Sequence, residues 1–236
     1  MILAIIPARG GSKRIKNKNI KNFFNRPIIS YPIQEAIKSN IFDKVIVSTD
    51  SDKIEKISKK FGAQIYFKRP KKLSGDKVSD KLVIKHAIKW VTKYIGKVKY
   101  VCVIYPTAAL IKKKDLRDSF KILKKKKWSF VFSAKKYTYP VQRSFSMERN
   151  RSLKMLTEKF YNKRSQELKT YYHDAGQFYW GETKAWLSNK MIFGKNSSVY
   201  ILDYFESHDV DSPSDWKILE KLHYIRNLKK YVRKKK

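Results

Sequence analysis

The sequence predicts an α/β fold built on a mostly parallel sheet with crossover helices. Short apolar runs alternate with amphipathic stretches along most of the chain, which is the pattern of strand–helix–strand units. Several of those runs are continuous rather than alternating, as in strands covered on both faces. With 236 residues the chain has room for one domain with an appendage, and 42% hydrophobic residues supply its core.

Each element has its own justification. ILAII at 2–6 is the first buried strand. SYPIQEAIKS at 30–39 is a helix with Ser30 as N-cap and Pro32 in its first turn. KVIVSTD at 44–50 is the second strand. The helix after it carries Ile54, Ile57 and Phe61 at helical spacing and stops at Gly62. AQIYF at 63–67 reads as a third strand, and VSDKLVIKHAIKWVTKYI as a longer helix. YVCVIYP at 100–106 is the fourth strand and the deepest by composition. It holds the single cysteine, Cys102, which excludes a disulfide framework or zinc set and reads as a buried, inert thiol. DLRDSFKILKKKK is a helix whose basic end suits the helix dipole, and SFVFSA at 129–134 returns to strand.

Residues 135–172 break this rhythm. They are polar and aromatic without a clean period, and two readings stand: a lid or dimer arm, or a long surface insertion. The core pattern resumes with GQFYWGE at 176–182 and SVYILDY at 198–204. A last helix spans 213–229, capped by Ser212 with Pro213 at its first position. Residues 229–236 read as a basic tail without structure. The whole of 1–236 is expected to form one domain.

The formal net charge is +35, from 55 Lys and Arg against 20 Asp and Glu. A nucleic-acid-binding protein is one reading of that figure. The basic residues are spread over the whole chain, however, and are joined by abundant Ile, Asn, Phe and Tyr, which share AT-rich codons with Lys. We therefore read the charge chiefly as genome bias on a solvated surface, with salt-sensitive, nonspecific polyanion binding as its consequence. No apolar run reaches membrane-span length. Met1 leads directly into a strand-like run with no signal-peptide pattern, so a cytoplasmic location is expected.

The first loop, 8–19, leaves a buried strand at Pro7, where ligands bind in open α/β sheets. Gly10 and Gly11 let backbone approach a bulky anion, Ser12 offers a hydroxyl, and successive N–H groups can form an anion nest. Arg9, Lys13 and Lys18 supply counter-charge. The loop matches neither common phosphate fingerprint, so a plain basic turn stands beside the phosphate reading. Near the other end, Asp209 and Asp211 flank Val210. In an extended segment both carboxylates face one side, and hard oxygen ligands in a phosphate site suit Mg²⁺. Acidic residues at a helix start are the alternative. His86, His173, His208 and His223 have no metal-ligand spacing, although His208 adjoins the acidic pair.

PARGGSKRIKNKNI closely resembles the N-terminal signature of the acylneuraminate cytidylyltransferases, which activate nonulosonic acids with CTP. The resemblance continues in order through VIVSTDS, RPKKLSGDKVSD, VIYPTAALIKKKDL and DVDSPSDW. Two departures matter. Tyr105 stands where the family has Gln before Pro-Thr, and DAGQFYWG at 174–181 replaces an Asn-Gly-Ala-Ile-Tyr segment. Both bear on the sugar acid, and both resemble the pseudaminic acid branch rather than the N-acetylneuraminate one.

The resemblance implies a three-layer Rossmann-like nucleotidyltransferase fold. An arm at about 140–172 would reach across a homodimer to help close the partner's sugar site. It implies CMP transfer from CTP, with Arg9, Lys18, Asp209 and Asp211 carrying the chemistry and both aspartates on Mg²⁺. The nucleotide would lie on Ala8, Arg9, Gly10, Gly11, Ser12, Lys13, Lys18, Asn19, Arg69 and Asp80. Asp80 reads equally as the first turn of the helix beginning near Val78. Tyr105, Gln142, Arg143, Asp174, Gln177 and Tyr179 form the candidate wall for the sugar acid, whose carboxylate, hydroxyls and acylated amines suit basic, amide and aromatic neighbours. The same reaction on N-acetylneuraminic, legionaminic or Kdo acid is the alternative.

Overall fold

The computed structural model describes residues 1–126 and 128–233. Its centre is a six-stranded sheet in the order β10-β6-β9-β5-β1-β4. The strands are β1 (Ile2–Pro7), β4 (Lys44–Ser48), β5 (Tyr100–Ile104), β6 (Phe130–Lys136), β9 (Tyr172–Glu182) and β10 (Ser197–Ile201). Two short hairpin pairs lie outside it: β2 (Asn22–Phe23) with β3 (Arg26–Pro27), and β7 (Phe145–Met147) with β8 (Leu153–Met155). β1 pairs in parallel with β4 and β5, and β10 with β6. Only β9 is antiparallel, to both β5 and β6.

Alternation along each strand sends side chains to two covered faces. Ala4, Ile6, Cys102, Ile104 and Trp180 face α1 (Ser30–Lys38), α2 (Asp52–Lys60) and α4 (Lys113–Lys125). Leu3, Ile5, Val101, Val103 and Phe130 face α3 (Asp80–Tyr94) and α5 (Thr183–Leu187). The result is three layers. Cys102 is fully buried on the central strand β5, and burial pushes its thiol well above the ordinary range.

Trp180 is fully buried between the rings of Phe42 and Phe120, 5.2 and 4.7 Å away, and donates to Ser119 Oγ at 3.0 Å. Trp180→Ala is expected to cost about 3–5 kcal/mol of unfolding free energy, read from urea denaturation. A cost below about 1 kcal/mol would show that this cluster does not hold the two layers together.

Three expectations need correction. Residues 63–67 are not a strand: the segment forms one isolated bridge to β4, Ile46↔Gln64, and a second, Thr49↔Lys68, lies just past both. Between them Tyr66 stacks on Trp90, and Phe67 meets His86 and Trp90, so aromatic packing draws the chain off the ladder. Ser30 is not a cap. Ile29 is already helical, and Ser30 sits inside α1 with its Oγ buried and unbonded. The last helix, α6, runs Pro213–Arg233 rather than ending at 229, because no Gly or Pro interrupts RNLKKYVR. The unstructured tail expected from 229 thus begins no earlier than 234, and residues 234–236 lie outside the described residues. α2, whose cap the sequence left unassigned, starts at Ser51, which accepts from Ile54 N.

The segment between β6 and β9 is an excursion closed at its base. Lys136 pairs with Tyr172, and Tyr137 N donates to Tyr171 O at 3.0 Å. Beyond that base lie the β7–β8 hairpin and short 3-10 turns. Phe145, Met147, Leu153, Leu156 and Tyr161 are all exposed there.

Candidate active site

A third apolar cluster decides where the site lies. Ile15 of the first loop, Phe23, Ile28, Leu110, and Trp216 and Leu219 of α6 pack together, and Val210 is buried among them at 0% exposure. Because Val210 points inward, Asp209 and Asp211 point the other way, by the alternation of extended chain. Both carboxylates line a cleft of about 1050 Å³, including its open mouth, at the C-terminal ends of the parallel strands.

The first loop forms the opposite wall of this cleft. Arg9, Ser12, Lys13, Lys18 and Asn19 all line it, joined by Arg69, Asp80 and Tyr105. Lys18 Nζ donates to Val210 O at 2.6 Å and lies 3.6 Å from Asp211 Oδ1. Chain ends remote in sequence are thereby tied together. Asn19 is buried and donates from Nδ2 to Arg9 O at 2.9 Å, fixing the loop across its base.

The two glycines do different things. A Cβ on Gly10 would meet Ser51 Cβ at 3.1 Å, so this glycine serves close packing against the β4–α2 turn. A Cβ on Gly11 would meet nothing within 4 Å, so no packing demand of the fold accounts for glycine there. The expected nest of N–H groups is partly spent inside the protein. Ala8 N donates to Ser48 O, Gly10 N to Asp50 Oδ1 and Ser12 N to Gly10 O. Ala8 itself is fully buried behind the loop.

Charges in the cleft are unevenly compensated. Arg9 and Lys13 both pair with Asp76, at 2.6 and 2.5 Å. Arg69 is buried beneath the floor, where Nε donates to Ser48 Oγ at 3.1 Å and Nη2 to Ser48 O. Burial lowers its pKa to about 10. Arg14 Nη2 pairs with Asp211 Oδ1 at 2.7 Å. Among the described residues Asp209 has no such ion-pair partner. Burial first, and the charge of Asp211 second, raise its pKa. Gly176, at φ +61 in a bulged part of β9, makes room for it: a Cβ there would fall 2.9 Å from Asp209 Cγ.

Asp80 is the first residue of α3 and accepts from Tyr105 OH at 2.9 Å, so its helix-start position and its place in the cleft coexist. Tyr179 is buried, donates to Asp174 Oδ2, and lies 5.4 Å from the Tyr105 ring. Asp174 lines a second, adjoining cleft, which shares Asp209 and Asp211 with the first. Gln177 is a brace instead of a wall: it is 1% exposed, and Nε2 donates to the carbonyls of Ala175 and Gly176. Gln142 and Arg143 lie on the excursion, outside the lining of both clefts. Gln142 donates to Lys169 O, and Arg143 to Lys163 O. Asp203 and Glu206 serve local structure: the first caps the 3-10 turn Tyr204–Glu206, and the second pairs with Lys112.

Sequence reasoning passed over Arg14, Asp76 and Thr107 in this region. Arg14 is four residues before Lys18 in the same basic loop, which was the available signal. Asp76 lies inside RPKKLSGDKVSD, the segment already singled out for Arg69 and Asp80. Among the described residues no group of three or more His, Cys, Asp or Glu could hold a metal, so a cation here would rest on two carboxylates and on ligand oxygens. No helix among them is long and apolar enough to cross a membrane.

The family model described as Cytidylyltransferase matches residues 3–234. A pseudaminic acid cytidylyltransferase of Campylobacter jejuni is 40% identical over 223 residues, covering 94% of this chain and 96% of that protein. An N-acylneuraminate cytidylyltransferase of Escherichia coli is 30% identical over 230 residues, 97% of this chain and 54% of that one. The structure of CMP:2-keto-3-deoxy-manno-octonic acid synthetase complexed with CTP superposes with a TM-score of 0.70 over 95% of this chain and 99% of its own, at 15% identity, which is a likeness of fold. With the family model spanning almost every residue, and a near full-length relative at 40% identity, the chain belongs to the cytidylyltransferase family.

Proposed function

We propose that this enzyme transfers CMP from CTP to a nonulosonic acid of the pseudaminic type. The anomeric hydroxyl attacks the α-phosphorus, the bond to the β-phosphate breaks, and pyrophosphate leaves. The observation that carries this reading is the meeting of the first loop with Asp209–Asp211 in one cleft, across Lys18 and Val210. The name of the Campylobacter relative supports the choice of sugar.

The chain's own groups would act by positioning and neutralisation. Arg9, Lys13 and Lys18 face the cleft as counter-charge for a triphosphate, and Arg69 sets a fixed positive charge at its floor. Asp76 already sits between Arg9 and Lys13 as a carboxylate that phosphate oxygens could replace. Asp209 and Asp211 would hold Mg²⁺. The fit is supported by the upward pressure on the Asp209 pKa, which a divalent cation would relieve, and by the space that Gly176 leaves beside its carboxylate. Bound there, the ion would supply charge neutralisation on phosphate oxygens.

We further propose that the excursion at about 140–172 packs against a second copy of the chain, bringing Gln142 and Arg143 toward the partner's sugar site. Its exposed Phe145, Met147, Leu153 and Leu156 support this. Light scattering is expected to give twice the chain mass of 28.0 kDa; a single-chain mass would remove this part of the reading.

A panel of sugar acids with CTP and Mg²⁺, scored for pyrophosphate release, tests the function. Pseudaminic acid is expected to give the highest kcat/KM. Equal or better turnover of N-acetylneuraminic, legionaminic or Kdo acid would defeat the sugar assignment. No CTP-dependent release with any acid, together with tight salt-sensitive nucleic-acid binding, would favour a basic nucleic-acid-binding protein instead.

A further inference from the structure

The second cleft, about 720 Å³ with its open mouth, is lined by a single lysine, Lys135. Its acidic groups are Asp174, Asp209, Asp211 and Asp215, and its basic ones are Lys135, His173 and His208. Lys135 stands near the end of β6 and is 7% exposed; among the described basic residues only Arg69 is comparably buried. Burying an ammonium group is costly unless it is paired. Yet no carboxylate among the described residues forms an ion pair with Lys135. Its Nζ donates to Ser207 O at 3.0 Å and lies 4.4 Å above the Tyr204 ring. One carbonyl and one aromatic face leave donor capacity on a group with three protons.

The chemistry of the acceptor says what that capacity is for. In a nonulosonic acid the carboxylate and the reacting hydroxyl are attached to the same anomeric carbon. A hydroxyl presented beside Asp209 and Asp211 therefore places the carboxylate in the cleft those residues share. Four acids there would repel it. Lys135 is the one lysine or arginine among the residues lining that cleft. Arg14 and Lys18 belong to the first cleft and are already engaged by Asp211 and Val210 O. His173 stands beside Lys135 with Nδ1 2.8 Å from Asp174 O, so that nitrogen carries the proton and the ring is oriented.

We propose that Lys135 is the counter-ion for the carboxylate of the sugar acid, keeping Ser207 O as one partner and taking the carboxylate as another. This rests on the nonulosonic acid reading above. It makes Lys135 a substrate-binding residue for the acid and leaves CTP binding to the first cleft.

The test compares the free acid with its methyl ester as acceptors, in the wild type and in Lys135→Met, by kcat/KM for acceptor and KM for CTP. The wild type is expected to prefer the acid, and Lys135→Met to lose roughly ten- to hundredfold on the acid but little on the ester. KM for CTP should not move. Lys135→Gln, which can still donate to Ser207 O without the charge, is expected to show the same loss of preference, and it covers the case in which the Met variant does not fold. If the neutral variants keep the wild-type preference for acid over ester, the proposal is overturned, even where activity falls, because Lys135 then acts only by holding the segment that bears Asp209. If the wild type itself turns over no sugar acid with CTP, the functional reading fails first.

Discussion

Asp209→Ala and Asp211→Ala should each lower kcat/KM by roughly a thousandfold or more while the protein stays folded. The two carboxylates face one cleft and, on the functional reading, hold the ion that neutralises the triphosphate; half a pair cannot do this. For Asp209 stability should respond in the opposite sense to activity. Asp209 is an incompletely paired carboxylate on the cleft wall whose pKa is raised by partial desolvation and by Asp211. Removing it relieves desolvation and repulsion, so Tm is expected to hold or rise. Asp211 loses ion pairs to Arg14 and Lys18, but its side chain is 52% exposed and that of Arg14 68%, so those pairs contribute at most about 1 kcal/mol. Pyrophosphate release and thermal melts on both variants check this. Near-wild-type turnover in both would remove the metal assignment.

Lys18→Met should be the most damaging single change in the first loop, with kcat/KM for CTP falling roughly a hundredfold. Its ammonium does two jobs. It faces the cleft as counter-charge, and through Val210 O it fixes the segment between the two aspartates. Arg9→Ala should cost less, about tenfold, because Arg9 already shares Asp76 with Lys13 and its side chain remains one-third exposed. Steady-state kinetics on CTP, beside calorimetric CTP binding, separate the two variants. An unchanged CTP affinity in Lys18→Met would mean that the first loop does not carry the triphosphate.

Where sequence reading succeeded and failed follows from the forces involved. The strands at Ile2–Pro7, Lys44–Ser48 and Tyr100–Ile104 were legible because burial on both faces demands continuous apolar runs. The segment at 63–67 carries the same signal, yet its aromatic side chains found Trp90 and His86 before its backbone found β4. Strand propensity records fitness for a half-buried surface, and that surface need not be a ladder. Gly10 and Gly11 look alike in sequence and differ in space, one pressed on Ser51 and one open.

In the site, the residues at strand ends and the paired aspartates could be named beforehand, since their positions follow from local pattern. Gln177 and Lys135 could not be sorted in that way. Gln177 sits in a strand of promising polar and aromatic residues and turns its amide on backbone carbonyls. Lys135 is one cation among 55 Lys and Arg, and what sets it apart is a burial that it shares, among the described basic residues, with Arg69.

By itself, then, the sequence determined the α/β layering, the loop after β1 and the alternation that aims Asp209 and Asp211 to one side. All three depend on the spacing of residues near one another along the chain. Tertiary structure alone decided that Ile15 and Val210 share a core, that Lys18 reaches across to the acidic segment, and that one lysine lies inside among carboxylates. Those outcomes depend on desolvation and on distances between segments some 190 residues apart in the chain, and local pattern carries no information about either.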